Sequence, residues 1–560
     1  MEDWRFLPQH IFEQIVRDLS LIELKKLTTI CKHFNLKVDS YWKVVLNSSS
    51  VNISILENSS RHYEHLNISS RVKLLKAQRI LRILKERGKL KSLTISHQKL
   101  FNIIEILKDA GKDLNYVNII FKENEKISTP CIKISSLNNV QTLRVSGASE
   151  NLGLISSNFT SLKDIYYCVN GNSYEQSLEL LGSLVNQTKS SLKTVEIQFP
   201  DGFKGGSLEF LENIENLHNL SILSNGDPIE PRPQLFEKSW NLFSLKLNLC
   251  SLTNKDLLNI LHFKTLENVV IGFSQNSTFD PETIKKIWDL PNLKSLEYPK
   301  LELTNDFSIV NSVNKNVKRL TLENVRLCLD FCKMFHHRAP NLEYFKIKDK
   351  HYRELTRFDL IDKLQNLSSL RVLDLNLSFR FWDHTRYSFL EELNLGRSCN
   401  DIPIEWCNLE VPNLKTLKLN SCSSWNNSTL EKCLSSCGNI RNLQVKCFKK
   451  TCDKTIEILC QKLPYLKVLK FGYLTSWEQL LNLFRNKTPM SLTFVEMDFS
   501  KIDFFCLNEG MVEEISDILK SPIRLCNSDD SLHFGDSYTL LGDLIEIKLF
   551  VLPERATTFN

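Results

Sequence analysis

One phrase recurs along this chain: an apolar residue, two variable ones, then apolar, variable, apolar. It is clearest in "LKSLTIS" from Leu90, "LKTVEIQ" from Leu192, "LFSLKLNLC" from Leu242, "VKRLTLENV" from Val317, "LRVLDLNLS" from Leu370, "LKTLKLNSC" from Leu414 and "LKVLKFGY" from Leu466. Weaker copies start at Leu114, Val140, Leu162, Leu217, Leu266, Leu293, Leu342, Leu390, Ile440 and Leu492. The spacing averages about 25 residues, the period of a solenoid repeat. Within each phrase the fourth and sixth positions, Leu417 and Leu419 for instance, alternate with polar neighbours, which predicts a half-buried strand. The intervening residues carry helical spacing, as in "STLEKCLSSCG" (428–438) and "DKTIEILCQKL" (453–463), with Ser428 and Asp453 as expected N-caps and Gly438 as a stop. The pattern therefore predicts an α/β fold in which parallel strands stack on one side and helices on the other. No unit can bury its own apolar face.

With these phrases the chain resembles the leucine-rich-repeat family over residues 90–500, about 17 units at the family's period. The resemblance implies a horseshoe solenoid. One departure stands out: the family's Asn or Cys at the ninth position is present only at Asn170, Asn225, Cys250 and Cys422. Irregular turns are expected in the other units. The Gly-, Pro- and Asp-rich segments 199–206 and 225–233 read as projecting loops.

Residues 1–46 do not fit the repeat. They read as three short helices, the first following Pro8, and so few residues bury too little surface to stand alone. Leu7, Pro8, Ile11, Phe12, Ile15, Leu19, Leu24, Leu27, Ile30, Phe34 and Trp42 follow in an order and spacing that resembles the F-box. His10 replaces the acidic residue common after Leu-Pro-x. The resemblance implies that this small all-α module docks, through those eleven side chains, on a Skp-type adaptor and through it on a cullin. The other reading of the same residues is a cap for the open end of the repeats.

Residues 47–89 read as a linker with a basic connector helix. Residues 71–91 hold nine Lys or Arg and one acidic residue, Glu86, while Leu74, Leu75, Gln78, Leu81 and Leu84 lie on or near one face. That face is expected to cover the first repeat and leave the charges in water, rather than to bind RNA or a membrane surface. Residues 501–560 read as a C-terminal cap and tail, with a helix at 512–520 and a closing strand at 544–552.

Composition narrows the function more than it names it. A net charge of +6 over 560 residues does not call for nucleic acid. No stretch has the length and apolarity of a membrane span, and with no secretory signal the 16 cysteines are expected reduced in the cytosol or nucleus. No phosphate-binding loop or catalytic constellation is present, so neither enzymatic activity nor a cofactor is expected. Cys328, Cys332, His336 and His337 have a spacing that suits zinc on a helix, but cysteine on a repeat helix reads first as a small apolar filler. The same holds for Cys433, Cys437, Cys447, Cys452 and Cys460, and no metal is expected. On the solvent side of the strands, Tyr344, Lys346, Lys348, Lys418, Lys446 and Lys470 are the expected target-binding residues. Lys418, Lys446 and Lys470 form an expected basic patch for an acidic or phosphorylated protein. Together these features imply a substrate-recognition subunit of a Skp–cullin–F-box ubiquitin ligase. The alternative is a repeat scaffold that binds a protein or RNA outside any ligase.

Overall fold

In the computed structural model of the chain, residues 45–47, 53–58, 64–70, 72–86, 90–97, 99–110, 113–121, 137–147, 153, 156–169, 174–200, 208–224, 233–250, 252–273, 281–299, 312–323, 336–348, 364–376, 386–396, 410–420, 426–445, 453–473, 482, 485, 494–498, 523–527, 537–538 and 545–550 are described. Its contacts divide into two units, residues 1–266 with 276–278 and residues 267–275 with 279–560.

In the first unit the elements run β1 (Val45–Asn47), α1 (Ile53–Asn58), β2 (His65–Ile68), α2 (Leu74–Glu86), β3 (Ser92–His97), α3 (Leu100–Asp109), β4 (Tyr116–Phe121), β5 (Thr142–Gly147), β6 (Asp164–Cys168), α4 (Tyr174–Thr188), β7 (Thr194–Phe199), β8 (Asn219–Ser224), β9 (Ser244–Cys250) and α5 (Asn254–Ile260). Strands β1 to β9 pair each with the next, all parallel.

The second unit holds β10 (Asn268–Phe273), α6 (Pro281–Trp288), β11 (Ser295–Tyr298), β12 (Arg319–Glu323), β13 (Tyr344–Lys348), β14 (Val372–Asn376), β15 (Glu392–Leu395), β16 (Thr416–Leu419), α7 (Asn427–Ser435), β17 (Asn442–Val445), α8 (Asp453–Lys462), β18 (Val468–Tyr473), β19 (Phe494–Asp498), β20 (Ile523–Asn527), β21 (Ser537–Tyr538) and β22 (Ile545–Phe550). Strands β10 to β20 again pair in sequence order and in parallel, and β22 follows β20. Only β21 runs antiparallel among the described strands, against β22.

Every one of the phrase starts from Leu90 to Leu492 is followed two residues later by a strand. The first, fourth and sixth positions form the core: Leu414, Leu417 and Leu419 are fully buried, as are Leu342, Phe345 and Ile347 and their counterparts in register. Strand entry is repeated just as strictly. The carbonyl of the second phrase residue accepts two N–H groups from the next unit, as Lys415 and Thr416 both donate to Glu391 at 2.8 and 3.0 Å.

A second regularity lies just before the strand. The side-chain amides of Asn316, Asn341, Asn413 and Asn439 each donate to a carbonyl of the preceding unit, those of Pro291, Lys315, Ser388 and Pro412, at 2.6–2.9 Å. Each of these asparagines precedes the first apolar residue of its phrase. They satisfy carbonyls of the turns that lead into the strands. Where the family's ninth-position residue is present and described, at Cys250, its thiol donates to the Asn248 carbonyl at 3.9 Å, and burial pushes its pKa up to about 12.

The return segments are less uniform than the strands. Helices serve some units, while 3-10 turns serve others at Ser156–Asn158, Glu209–Asn213 and Pro233–Glu237. Short turns fit where the connection is tight. Gly147, at φ 83°, ends β5 because a Cβ there would run into the Phe121 carbonyl of the neighbouring strand.

Several expectations are corrected. The sheet begins before Leu90: β1 and β2 fall where a helix and a linker were expected. Tyr63 stands in the first position of the phrase that makes β2, and β1 starts at the β-branched Val45, paired along the edge that β2 offers. In α2 the buried face is Ala77, Ile80, Leu81 and Leu84, whereas Leu75 is 81% exposed. The helix is therefore rotated from the face expected. Helix α7 is capped by Asn426, whose Oδ1 accepts from the Thr429 N–H at 2.9 Å, two residues before Ser428. Its C-cap is Ser436, ahead of Gly438. Asp453 is the first residue of α8 rather than its cap. Past residue 500 the parallel stack continues in β20 and β22, the latter within the closing strand expected there. The segments 201–207, 225–232 and 512–520 lie outside the described residues, as do the expected adaptor contacts from Leu7 to Trp42.

His97, 7% exposed at the end of β3, accepts the Lys99 N–H at Nδ1 at 3.1 Å. Burial holds its pKa below the ordinary 6.5, against the Val72 carbonyl, which raises it, and with Lys99, which lowers it further. The fold thus favours the neutral ring, and its contribution to stability, complete above 6.5, is lost as pH falls below that value. The urea midpoint should drop on acidification, and by less in His97→Gln. A second test is Leu417→Ala, which should cost ~2–5 kcal/mol. Asn413→Ala should cost about 1 kcal/mol. Hydrogen exchange should place both losses in β15 to β17 and leave the first unit protected.

Candidate partner-binding face

The third, fifth and seventh phrase positions alternate with the buried ones and face away from the core. They form rows across the strands, each row fixed by the register. In the second unit the fifth-position row reads Val270, Glu297, Thr321, Lys346, Asp374, Asn394, Lys418, Gln444, Lys470 and Glu496.

Charges at the third and seventh positions knit this row to its neighbours. Lys346 Nζ lies 2.7 Å from Glu323 Oε1, and Lys348 Nζ lies 3.4 Å from Glu323 Oε2. Lys418 Nζ lies 2.5 Å from Glu392 Oε1. The guanidinium of Arg319 sits 3.9 Å from the centroid of the Tyr344 ring, a cation–π stack. Burial works against the charge on Lys346, but the hydrogen bond and attraction of Glu323, with Asp374, hold its pKa above the usual lysine value. Burial raises the pKa of Asp374, while Lys346, the Asn394 amide and Lys418 oppose that rise. Beyond Asp374 an amide chain continues: Asn420 donates to Asn394 Oδ1 at 2.9 Å, and Gln444 donates to Asn420 Oδ1 at 3.1 Å.

The expected basic patch changes accordingly. Lys418 and Lys470 do not neighbour one another; Gln444 stands between them, and Lys418 is already paired. Lys446 lies outside the described residues. Tyr344, Lys346 and Lys348 do share one strand, β13, yet their charge is answered by Glu323. What the phrase-by-phrase reading missed is this pairing between units. The signal for it was in the sequence: Glu323 and Glu392 occupy the face positions of strands adjacent to the lysines.

A second set of charges follows the strand-entry edge. Lys294 pairs with Glu267, Lys318 with Glu343, and Glu391 with both Arg371 and Lys415, all at 2.6–2.8 Å. Hydrogen bonds from Lys415 and Arg371 hold the Glu391 carboxyl below the usual range. These pairs are solvent-exposed, so each adds little to stability.

The face of the first unit has a different character. Its third and fifth positions are mostly Ser, Thr, Asn and Tyr. Thr142 Oγ1 donates to Asp164 Oδ2 at 3.0 Å, and Asn219 Nδ2 donates to Thr194 Oγ1 at 3.1 Å. Arg144 lies 5.8 Å from the Tyr166 ring, whose phenol is raised in pKa by burial and by Asp164 and Glu196.

Of the cysteine and histidine sets, Cys328, Cys332, Cys447 and Cys452 lie outside the described residues. The His336 and His337 rings are 3.8 Å apart. Cys433 and Cys437 are buried against the core, and Cys460 is half-buried. Among the described residues no three His, Cys, Asp or Glu are grouped as metal ligands, and no helix is long and apolar enough to cross a membrane.

No protein-family model matches the chain, and no curated protein matches it in sequence. Among solved structures, the crystal structure of the Rad7 and Elc1 complex in yeast aligns over 90% of this chain and 89% of that chain, at 12% identity and a TM-score of 0.26. A score that low establishes neither fold nor partner, and the architecture stands on the strands and their register.

Glu323→Gln tests the pairing. With burial of Lys346 less opposed, its pKa should fall and its neutral fraction rise. Its acetylation rate in mildly alkaline buffer should increase several-fold relative to the exposed Lys315; an unchanged ratio would show that Glu323 does not hold the lysine's charge.

Proposed function

We propose that the chain is the substrate-recognition subunit of a Skp–cullin–F-box type ubiquitin ligase. In this reading the N-terminal module, through Leu7, Pro8, Ile11, Phe12, Ile15 and the apolar positions that follow to Trp42, docks on the adaptor. The repeats hold the target, and the chain contributes proximity while the ubiquitin-conjugating enzyme on the cullin performs the transfer. It works without a cofactor or catalytic residues of its own, in the cytosol or nucleus.

The observation that carries the reading is the division of labour within each phrase. Positions one, four and six are consumed by the core, whereas three, five and seven form rows across the strands that are mostly polar, a surface suited to a protein partner. The F-box order of the first 42 residues supplies the link to the ligase.

A second reading is favoured by β1. From Val45 the chain is already a strand of the sheet, in register with β2. A cap for the open end of the repeats would lead into such a strand, and the protein would then be a scaffold.

A pull-down with purified Skp-type adaptor separates the two. The full chain should retain the adaptor, and Leu7→Ala/Pro8→Ala should lose it while hydrogen exchange in both units stays as in the parent. An intact chain that fails to bind the adaptor overturns the ligase reading and leaves the scaffold.

A further inference from the structure

In the second unit the face lysines Lys346, Lys348 and Lys418 are paired with carboxylates of the same chain. The first unit contains charges that are not. Arg144 on β5, Glu196 on β7 and Lys246 on β9 all occupy the fifth phrase position. The register places them in one row, Arg144, Tyr166, Glu196, Ser221, Lys246. Among the described residues the side chains of Arg144, Glu196 and Lys246 make no ion pair or hydrogen bond, Arg144 meeting only the Tyr166 ring at 5.8 Å, and Arg144 and Lys246 are exposed. Between the last two, the Ser221 hydroxyl is buried and likewise has no partner among those residues.

The geometry of the row selects its occupant. Neighbouring strands stand about 4.8 Å apart, so Arg144 to Glu196, and Glu196 to Lys246, are each about 10 Å. A pleated strand laid across the sheet would reach that distance in about three residues, but alternate side chains point to opposite sides, so residues three apart cannot both face the row. A polyproline II segment does not have this conflict. It repeats every 3 residues or so, at about 3.1 Å per residue, so side chains three apart fall on one face roughly 9 Å from each other. It also leaves its backbone groups free of internal hydrogen bonds, available to the Ser, Thr and Asn side chains beside the row. Tyr166, half-buried between Arg144 and Glu196, offers an aromatic surface of the type that receives proline rings.

We propose that the β5–β9 face binds a proline-rich polyproline II segment of a partner protein that carries an acidic residue at i, a basic one at i+3 and an acidic one at i+6. The acids engage Arg144 and Lys246, and the base engages Glu196. This extends the recognition role proposed for the repeats by naming what they recognise; it does not depend on the N-terminal module.

The full chain is titrated against labelled synthetic peptides of the form Asp-Pro-Pro-Lys-Pro-Pro-Asp. Controls have the charges inverted, Lys-Pro-Pro-Asp-Pro-Pro-Lys, or moved to alternate positions. The first peptide should bind at least about tenfold tighter than either control, and Arg144→Gln/Lys246→Gln should abolish the difference. The decisive variant is Arg144→Glu/Glu196→Lys/Lys246→Glu, in which preference should switch to the inverted peptide. Equal binding of all three peptides, no binding, or a preference that the variants leave untouched overturns the proposal. An adaptor pull-down that fails while the peptide still binds removes the ligase and leaves this site. The converse leaves a receptor that uses another face.

Discussion

The stacking of buried triplets between neighbouring units is the contact on which everything else here depends. A single phrase and its return segment can cover at most one side of Leu414, Leu417 and Leu419; the other side is closed by Leu390, Leu393 and Leu395 before it and Ile440, Leu443 and Val445 after it. Burying apolar area is the main favourable term available to such a unit. The pairing must be parallel and in register, because a one-residue slip would turn the leucines into water and the lysines into the core. The doubly bonded carbonyl at strand entry and the asparagine amides before it fix that register at the same place in unit after unit.

That constraint explains what could be read from the chain alone. Strand positions were legible because positions one, four and six tolerate only apolar residues, and the phrase repeats them at a nearly fixed period. The return segments were less legible, since a helix, a 3-10 turn or a short turn can all bring the chain back. The two missed strands at the start have Tyr63 and Lys43 where a leucine was sought. The rotation of α2 was hidden by an excess of apolar residues: Leu74, Leu75, Ile80, Leu81, Ile83 and Leu84 exceed what one face can bury, and only packing decides that Leu75 stays outside.

The face shows the same limit in electrostatic form. Each charged residue was visible in its own phrase, so Lys346, Lys348 and Lys418 were found. Whether a charge is satisfied depends on the residue one strand away, some twenty or more positions distant in sequence, and only the register supplies that neighbour. Glu323 and Glu392 convert an apparent excess of positive charge into an internally balanced surface. On the first unit the same comparison leaves Arg144, Glu196 and Lys246 without an opposite charge, Arg144 meeting only the Tyr166 ring.

The asparagine amides that bridge consecutive turns have a mechanical consequence. Each bond, from Asn316 through Asn439, ties one unit to the unit before it and to nothing farther away. Tension along the stack is therefore carried in series, link by link, and the weakest junction sets the force at which the array opens. Pulled from one end, the array would release repeats in discrete steps, shortening without collapsing.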